Sequence, residues 1–432
     1  MQQWLLRLGY LLGHHQNNLL VALALQSGSP SSPMRIRGDA PTTSRSTCFC
    51  RRPSGGPLRI GLRASIDERS EFRHALPRRK RTAEQPTVTQ ARTTVVFDSY
   101  GGLQAPSAIV RAAARASRDG AAQVLLVGDV AALQDQLGLV PYDPMRLRLV
   151  PGGAAFPRRP GDTLAQAQAA RVGLPVALQL LAEGEAHALV TASPADLVRE
   201  LVMKHLPLLP GCECPAAVAV VPTMPRQGQE EPLALLLDVS GQRTVSADAL
   251  VQFAVLGAAY ARAISGLAEP SVALLSTGPG PQDGPPEVVA AHNKLRMIKG
   301  LRFVGNIRAT ELSRGLADVV VADGLVGHTV HGLLEGLADM TVEAARYAWK
   351  TKITWRVGLR LLSQGVGMLR KVSEFKDYGG APLLGLQHLV LVANPDAGEM
   401  AFENAVKLAI TCHRKGLLAE TSRSLAGLGG QV

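Results

Sequence analysis

Asp318-Val319-Val320-Val321-Ala322-Asp323-Gly324-Leu325-Val326-Gly327 joins an unbroken apolar run to an Asp-Gly turn and then to a helical pattern. A strand with one face in water alternates apolar and polar residues, whereas a continuous run marks a strand covered on both faces. Working outward, the same unit recurs. Thr94–Phe97 ends in Asp98, and Gly101-Gly102 and Pro106 precede an Ala-rich helical stretch that reaches about Arg118. Val124–Val127 closes on Gly128-Asp129, and Leu147–Val150 and Ala188–Ala192 follow. Ala216–Val221 and Leu233–Asp238 read as a hairpin across a polar, Pro-containing loop. A helix over Ala247–Arg262 leads to strand Val272–Ser276, and the alternation resumes at Arg302–Gly305. This order predicts an α/β fold with a doubly wound, mainly parallel sheet.

Ligands of such sheets bind beyond the carboxyl ends of the strands. The residues to read are therefore Asp98 with Gly101-Gly102, Ser193–Asp196, Asp238–Gln242, Thr277–Pro286, Asn306 and Asp323-Gly324. Glycines there permit tight turns and turn backbone N–H groups toward an anion. The pattern predicts that Gly101-Gly102, Asn306 and Asp323-Gly324 converge at one end of the sheet.

Charge is unevenly placed. Residues 1–92 hold fifteen Arg or Lys against five acids, leaving 31 basic and 30 acidic side chains in the rest of the chain. The net charge of +11 thus belongs to the leader, and with aromatics at 4% a nucleic-acid partner is not expected. The Arg- and Ser-rich, acid-poor leader has the composition of a transit peptide and is expected to be disordered. That reading implies a plastid or mitochondrion; without a transit peptide the chain is expected to be cytoplasmic and peripherally membrane-associated. A short signal-like apolar run at Leu19–Leu25, or a true start at Met34, are the alternatives. Cys48-x-Cys50 and Cys212-x-Cys214 lack the two-residue gaps of a zinc site and read as reduced thiols; no metal is expected.

Beyond Gly327 the pattern becomes helical. Thr329 to about Lys350 and Ile353 to about Lys371 predict a protruding helical hairpin. Trp355, Leu359, Leu362, Val366 and Leu369 form an apolar stripe, with Lys352, Arg356 and Arg360 beside it. It reads as a dimer interface or as a basic amphipathic surface for anionic lipid.

Four segments, in this order and spacing, resemble the PlsX family of phosphate acyltransferases. They are Asp98-Ser99-Tyr100-Gly101-Gly102, Phe303-Val304-Gly305-Asn306, Asp318–Gly327 and Tyr378-Gly379-Gly380-Ala381-Pro382-Leu383-Leu384-Gly385-Leu386. The resemblance runs from about Thr93 to about Arg414, which makes residues 93–432 the domain. It implies an α/β/α sandwich, a homodimer and no organic cofactor. It also implies transfer of an acyl group from acyl-acyl carrier protein to inorganic phosphate, giving acyl phosphate for phospholipid synthesis. By the same resemblance Asp323 and Asn306 are the candidate catalytic residues. Asp98, Gly101, Gly102, Gly324, Gly327 and Arg243 are the candidate phosphate-binding residues.

Several polar positions depart from the family pattern. Its Ser-Ala-Gly-Asn-Thr-Gly-Ala is Thr191-Ala192-Ser193-Pro194-Ala195-Asp196-Leu197 here, which removes two glycines and one N–H and adds a carboxylate at a helix start. The family's lysine and histidine after the next conserved strand become Ser246 and Ala249, and Arg243 is a new cation that stands in for the lysine only in part. Its His-Gly-Ser-Ser becomes Ala393-Asn394-Pro395-Asp396. Two readings stay open: an acyltransferase with a weakened or rebuilt site, and a non-catalytic relative that binds acyl carrier protein or an acyltransferase partner.

Overall fold

Five parallel strands, two central strands that each run antiparallel to both neighbours, and four more parallel strands build a single eleven-stranded sheet. The computed structural model describes residues 92–152, 163–224, 233–361 and 379–429. The leader, its boundary near residue 92 and the second half of the hairpin's second helix lie outside the described residues.

The strands are β1 (Thr94–Asp98), β2 (Gln123–Gly128), β3 (Leu147–Pro151), β4 (Ala188–Thr191), β5 (Ala216–Pro222), β6 (Leu233–Leu237), β7 (Ser271–Ser276), β8 (Arg302–Arg308), β9 (Val319–Val321), β10 (Ala381–Leu384) and β11 (Leu389–Val392). The helices are α1 (Ser107–Arg118), α2 (Val130–Leu137), α3 (Thr163–Ala182), α4 (Ala195–His205), α5 (Ala247–Tyr260), α6 (Pro286–Leu295), α7 (Ala309–Leu312), α8 (Gly324–Thr351), α9 (Ile353–Leu361), α10 (Glu399–Arg414) and α11 (Leu417–Leu428). In space the strands lie in the order β3-β2-β1-β4-β11-β10-β5-β6-β9-β7-β8.

Continuous apolar runs do bury both faces. Val95 and Phe97 of β1 belong to the core layer that also holds α1, α5 and α10, while Val96 belongs to the layer with α3 and α4 on the other side. Helix α5 is wholly buried from Ala249 to Tyr260. With the turn that extends it to Ser265, it is long and apolar enough to span a membrane, yet 72% of that stretch is buried inside the body, as befits a core helix.

The α/β/α sandwich, doubly wound and mainly parallel, is as the sequence predicts, with one change that matters for function. β5 and β6 form the antiparallel hairpin that the sequence predicts; the change is that β5 also runs antiparallel to β10, and β10 to β11. The half β3-β2-β1-β4-β11 therefore points one way and β6-β9-β7-β8 points the other. The register staggers the two halves, so that Phe97 of β1, Leu237 of β6, Val321 of β9 and Asn306 of β8 fall at one level and the carboxyl ends of both halves meet along the middle of the sheet. Gly101-Gly102, Asn306 and Asp323-Gly324 lie near this shared level but on strands spread across the width of the sheet.

Each half is locked at its carboxyl end by a fully buried carboxylate. Asp98, closing β1, accepts the hydroxyls of Thr191 (3.0 Å) and Ser193 (2.7 Å) and the N–H of Tyr100 (3.2 Å), which ties β1 to the turn after β4. Asp238, just past β6, accepts the N–H groups of Ala217 and Ser240 (both 2.8 Å) and the Ser240 hydroxyl (2.6 Å). It thereby holds the start of β5 against the end of β6, where the direction reverses.

Helix α8 starts against this carboxylate. Asp323 caps it, accepting from the N–H of Val326 at 2.9 Å. A Cβ on Gly324 would fall 2.5 Å from the Gln242 nitrogen and 2.7 Å from an Asp238 carboxylate oxygen, and one on Gly327 would strike the Asp238 carbonyl. Helix α8 stays against the body as far as Glu335, with Val330 and Leu334 packed on the core, and beyond it forms the protruding hairpin with α9. Leu333, Leu337, Met340, Trp349, Ile353 and Trp355 are exposed along the two helices. Lys352 lies 5.3 Å from the Trp355 ring and Arg356 5.7 Å from that of Trp349.

Two predictions test this frame. Gly327→Ala should lower stability by about 1–3 kcal/mol through overpacking, whereas Gly332→Ala, with nothing within 4 Å of its Cβ, should raise it by up to about 1 kcal/mol; urea midpoints of the two variants decide. Asp238→Ala should cost more than about 2 kcal/mol, because two buried N–H groups lose their acceptor, and Asp238→Asn, which keeps a carbonyl oxygen there, should cost less than half as much. Burial pushes the Asp238 carboxyl above the usual carboxylate range, against its three hydrogen bonds and the Arg199 charge. A raised folded-state value means stability is full at low pH and is lost as pH rises through that value, so the deficit of Asp238→Asn should shrink as pH increases.

Candidate functional site

A groove runs over the centre of the sheet, between α4 and α8, and encloses about 180 Å³. Its floor is small and apolar: Ala217, Ala219 and Val220 from β5, Ala381 and Leu383 from β10, and Val392 from β11. Strand reversal puts this floor between the two sets of carboxyl ends. At one end the groove meets Ala393, Asn394 and Pro395, which follow β11, and Ala195 at the start of α4. At the other it meets Val239 and Ser240, which follow β6, and His328 of α8. From Ala217 to Val220 is three residues of strand, about 10 Å, so the two ends face each other within the reach of one extended ligand.

Arg199 of α4 is the one Lys or Arg among the lining residues. It is partly exposed. Its charge draws the Asp238 and Cys214 protons off more readily, against the burial that raises both groups. The Nδ1 of His328 lies 3.2 Å from the Val239 carbonyl, which can only accept, so Nδ1 carries the proton there. The His331 ring is held below its ordinary value mainly by burial, with Glu335 pulling it up and His328 pushing it down. Glu335 lies 3.9 Å from that ring and accepts from the Asn394 amide at 3.1 Å, which pins α8 to the turn after β11.

The predicted site residues separate into distinct places. Gly101 and Gly102 back the β11 end of the groove: a Cβ on Gly101 would fall 2.6 Å from the Ser193 nitrogen, and Gly102, at φ +88°, sits against the Pro395 carbonyl. Asp98 lies beneath them, its oxygens engaged by the hydroxyls of Thr191 and Ser193. Gly324 and Gly327 back the opposite end by pressing on Asp238, with Asp323 as the cap beside them. These six residues, by position, frame the groove from behind; none lines it.

Asn306 and Arg243 stand apart. Asn306 lies on β8, the edge strand. Its amide donates to the Gly280 carbonyl and its oxygen meets His292 Nδ1, both at 2.8 Å, so it fastens the Pro-rich 277–286 loop to α6. Arg243 is exposed and off the groove. Ser246, where the resemblance places a lysine, caps α5 by accepting from Ala249 at 3.0 Å and donates to Glu213 at 2.6 Å. Cys212 and Cys214 are free thiols, and burial pushes Cys212 up to about 11.

Arg199 and Ser240 are the groove residues that sequence reading passed over for individual roles. Ser240 fell within a flagged strand end. Arg199 sits one turn into a helix, where a lone arginine carries no motif; the altered 191–197 turn just before it was the available signal.

The family described as "Fatty acid synthesis protein" matches residues 93–420. The phosphate acyltransferase of Nitratidesulfovibrio vulgaris is 30% identical over 321 residues, covering 74% of this chain and 91% of that protein. That of Myxococcus xanthus is 33% identical over 334 residues, covering 77% and 93%. Among solved structures, a phosphotransacetylase from Streptococcus pyogenes is 17% identical with a TM-score of 0.49, covering 75% of this chain and 94% of that one. With a continuous match over three quarters of its length, the chain belongs to the fatty acid synthesis protein family, that of the PlsX phosphate acyltransferases.

Proposed function

We propose that this protein is a phosphate acyltransferase that takes an acyl group from acyl-acyl carrier protein. A phosphate oxygen attacks the thioester carbonyl, the carbon–sulfur bond breaks, and the carrier thiolate leaves with the proton that the hydrogen phosphate gives up. The products are acyl phosphate and free carrier thiol. The observation that carries this reading is the groove: a narrow apolar floor suits a linear acyl chain, and one cation at its polar end suits an anionic acceptor.

The same reading extends to assembly. The exposed apolar side chains of α8, Leu333, Leu337 and Met340, support a homodimer formed through the hairpin. Trp349, Trp355, Lys352 and Arg356 at its outer end support peripheral contact with anionic lipid. An organellar address rests on the composition of the leader alone.

A second reading, a non-catalytic relative, is favoured by one observation: the residue at the family's lysine position is spent on capping α5 and binding Glu213.

One assay separates them. The full chain with acyl-acyl carrier protein and inorganic phosphate should give acyl phosphate at a rate below that of a relative with the lysine and glycine turn intact, by about 10²–10³ if one preorganised donor is missing. Replacing Pro194 and Asp196 by glycine and Ser246 by lysine should raise turnover. No acyl phosphate from folded wild type or from the folded restored variant would establish the non-catalytic reading.

A further inference from the structure

Among the residues lining the central groove, Arg199 is singled out by position and by charge. We propose that Arg199 is the residue that receives the inorganic phosphate dianion in this chain, at the Ser240–His328 end of the groove. This rests on the acyltransferase reading and names the cation that the reading needs.

Three observations converge on it. First, neither cation that the sequence points to is in the groove: Arg243 is exposed and off it, and the family's lysine position holds Ser246. Second, no carboxylate lies within ion-pair distance of Arg199 among the described residues, and Glu335, the one carboxylate among the lining residues, is taken up by Asn394 and His331. Asp238 is near enough to feel its charge, but that carboxyl is already filled by three donors and is held toward its neutral form by burial. The guanidinium therefore retains charge and donors for a ligand. A guanidinium is also suited to a phosphate, since its planar fork offers paired donors. Third, the surroundings fit the rest of the reaction. His328 leaves Nε2 for a ligand because Nδ1 is committed to Val239, and the alanine floor of β5 leads away from Arg199 toward the β11 end. The order of parts is phosphate at Arg199, then carbonyl, then acyl chain over Ala217 and Ala219.

The test uses the full chain. Binding of radiolabelled inorganic phosphate is measured by equilibrium dialysis, and KM for phosphate and for acyl-acyl carrier protein are measured separately, in wild type, Arg199→Lys and Arg199→Gln. Loss of a charge-assisted interaction predicts a rise of about 10–100-fold in phosphate Kd and KM for Arg199→Gln. The lysine variant should fall between the two proteins, and KM for the acyl donor should stay within about twofold. In parallel, phenylglyoxal modification of Arg199 in the wild type, read by peptide mass spectrometry, should be slowed by millimolar phosphate; this arm needs no variant to fold. Unchanged phosphate affinity in folded Arg199→Gln, or labelling of Arg199 indifferent to phosphate, overturns the proposal even if the enzyme turns over. A rise in the acyl-donor KM alone also overturns it, and would assign Arg199 to the phosphate of the carrier's prosthetic group. Arg199-dependent phosphate binding without any acyl phosphate would keep this proposal and defeat the acyltransferase reading.

Discussion

The Asp238 carboxylate is the constraint on which the rest of the site depends. A parallel sheet that reverses direction in its middle must bring the end of one strand beside the start of the next, and backbone groups at such a junction have no ladder partner. Asp238 supplies that partner, accepting from Ala217 on β5 and from its own turn at Ser240. Burial in a fully covered position makes these bonds obligatory, because a donor left unpaired there has no water to turn to. The turn they fix presents Val239 and Ser240 to the groove and gives α8 a flat place to land, where Gly324 and Gly327 remove the side chains that would hold it off.

Asp98 performs the matching task in the other half, through the hydroxyls of Thr191 and Ser193 together with the Tyr100 N–H. Two buried carboxylates, one closing each half of the sheet, thus shape a groove between them without entering it. This accounts for a pattern visible in the chain: motifs that shape the groove are retained while polar residues that would touch ligand have changed. Scaffold glycines at 101, 102, 324 and 327 are fixed by close approach of backbone to backbone. A ligand-facing position carries no such penalty and can be vacated, or its charge supplied from a different element.

Most of the fold was legible because strands buried on two faces announce themselves as apolar runs. β10 and β11 were not legible as strands: Ala381–Leu384 and Leu389–Val392 are four residues each and are set among glycines, so their pairing is decided by neighbours distant in sequence. With them went the two reversals they make, while the β5–β6 hairpin was legible from its loop. Asn306 looked like a ligand-facing residue because it follows an apolar strand, yet its amide is consumed by Gly280 and His292. Arg199 was silent for the opposite reason, as its meaning comes from which groove its helix borders.

The central position of β10 and β11 bears on how the chain is made. They fill the gap between β4 and β5, strands completed at Thr191 and Pro222, long before β10 begins at Ala381. Until the ribosome has released that late segment, β4 and β5 each present a bare apolar edge, the kind of surface on which strands from other molecules add. Closure of the sheet is therefore a long-range event that comes late, and the nascent protein spends much of its synthesis as two open half-sheets in need of shielding.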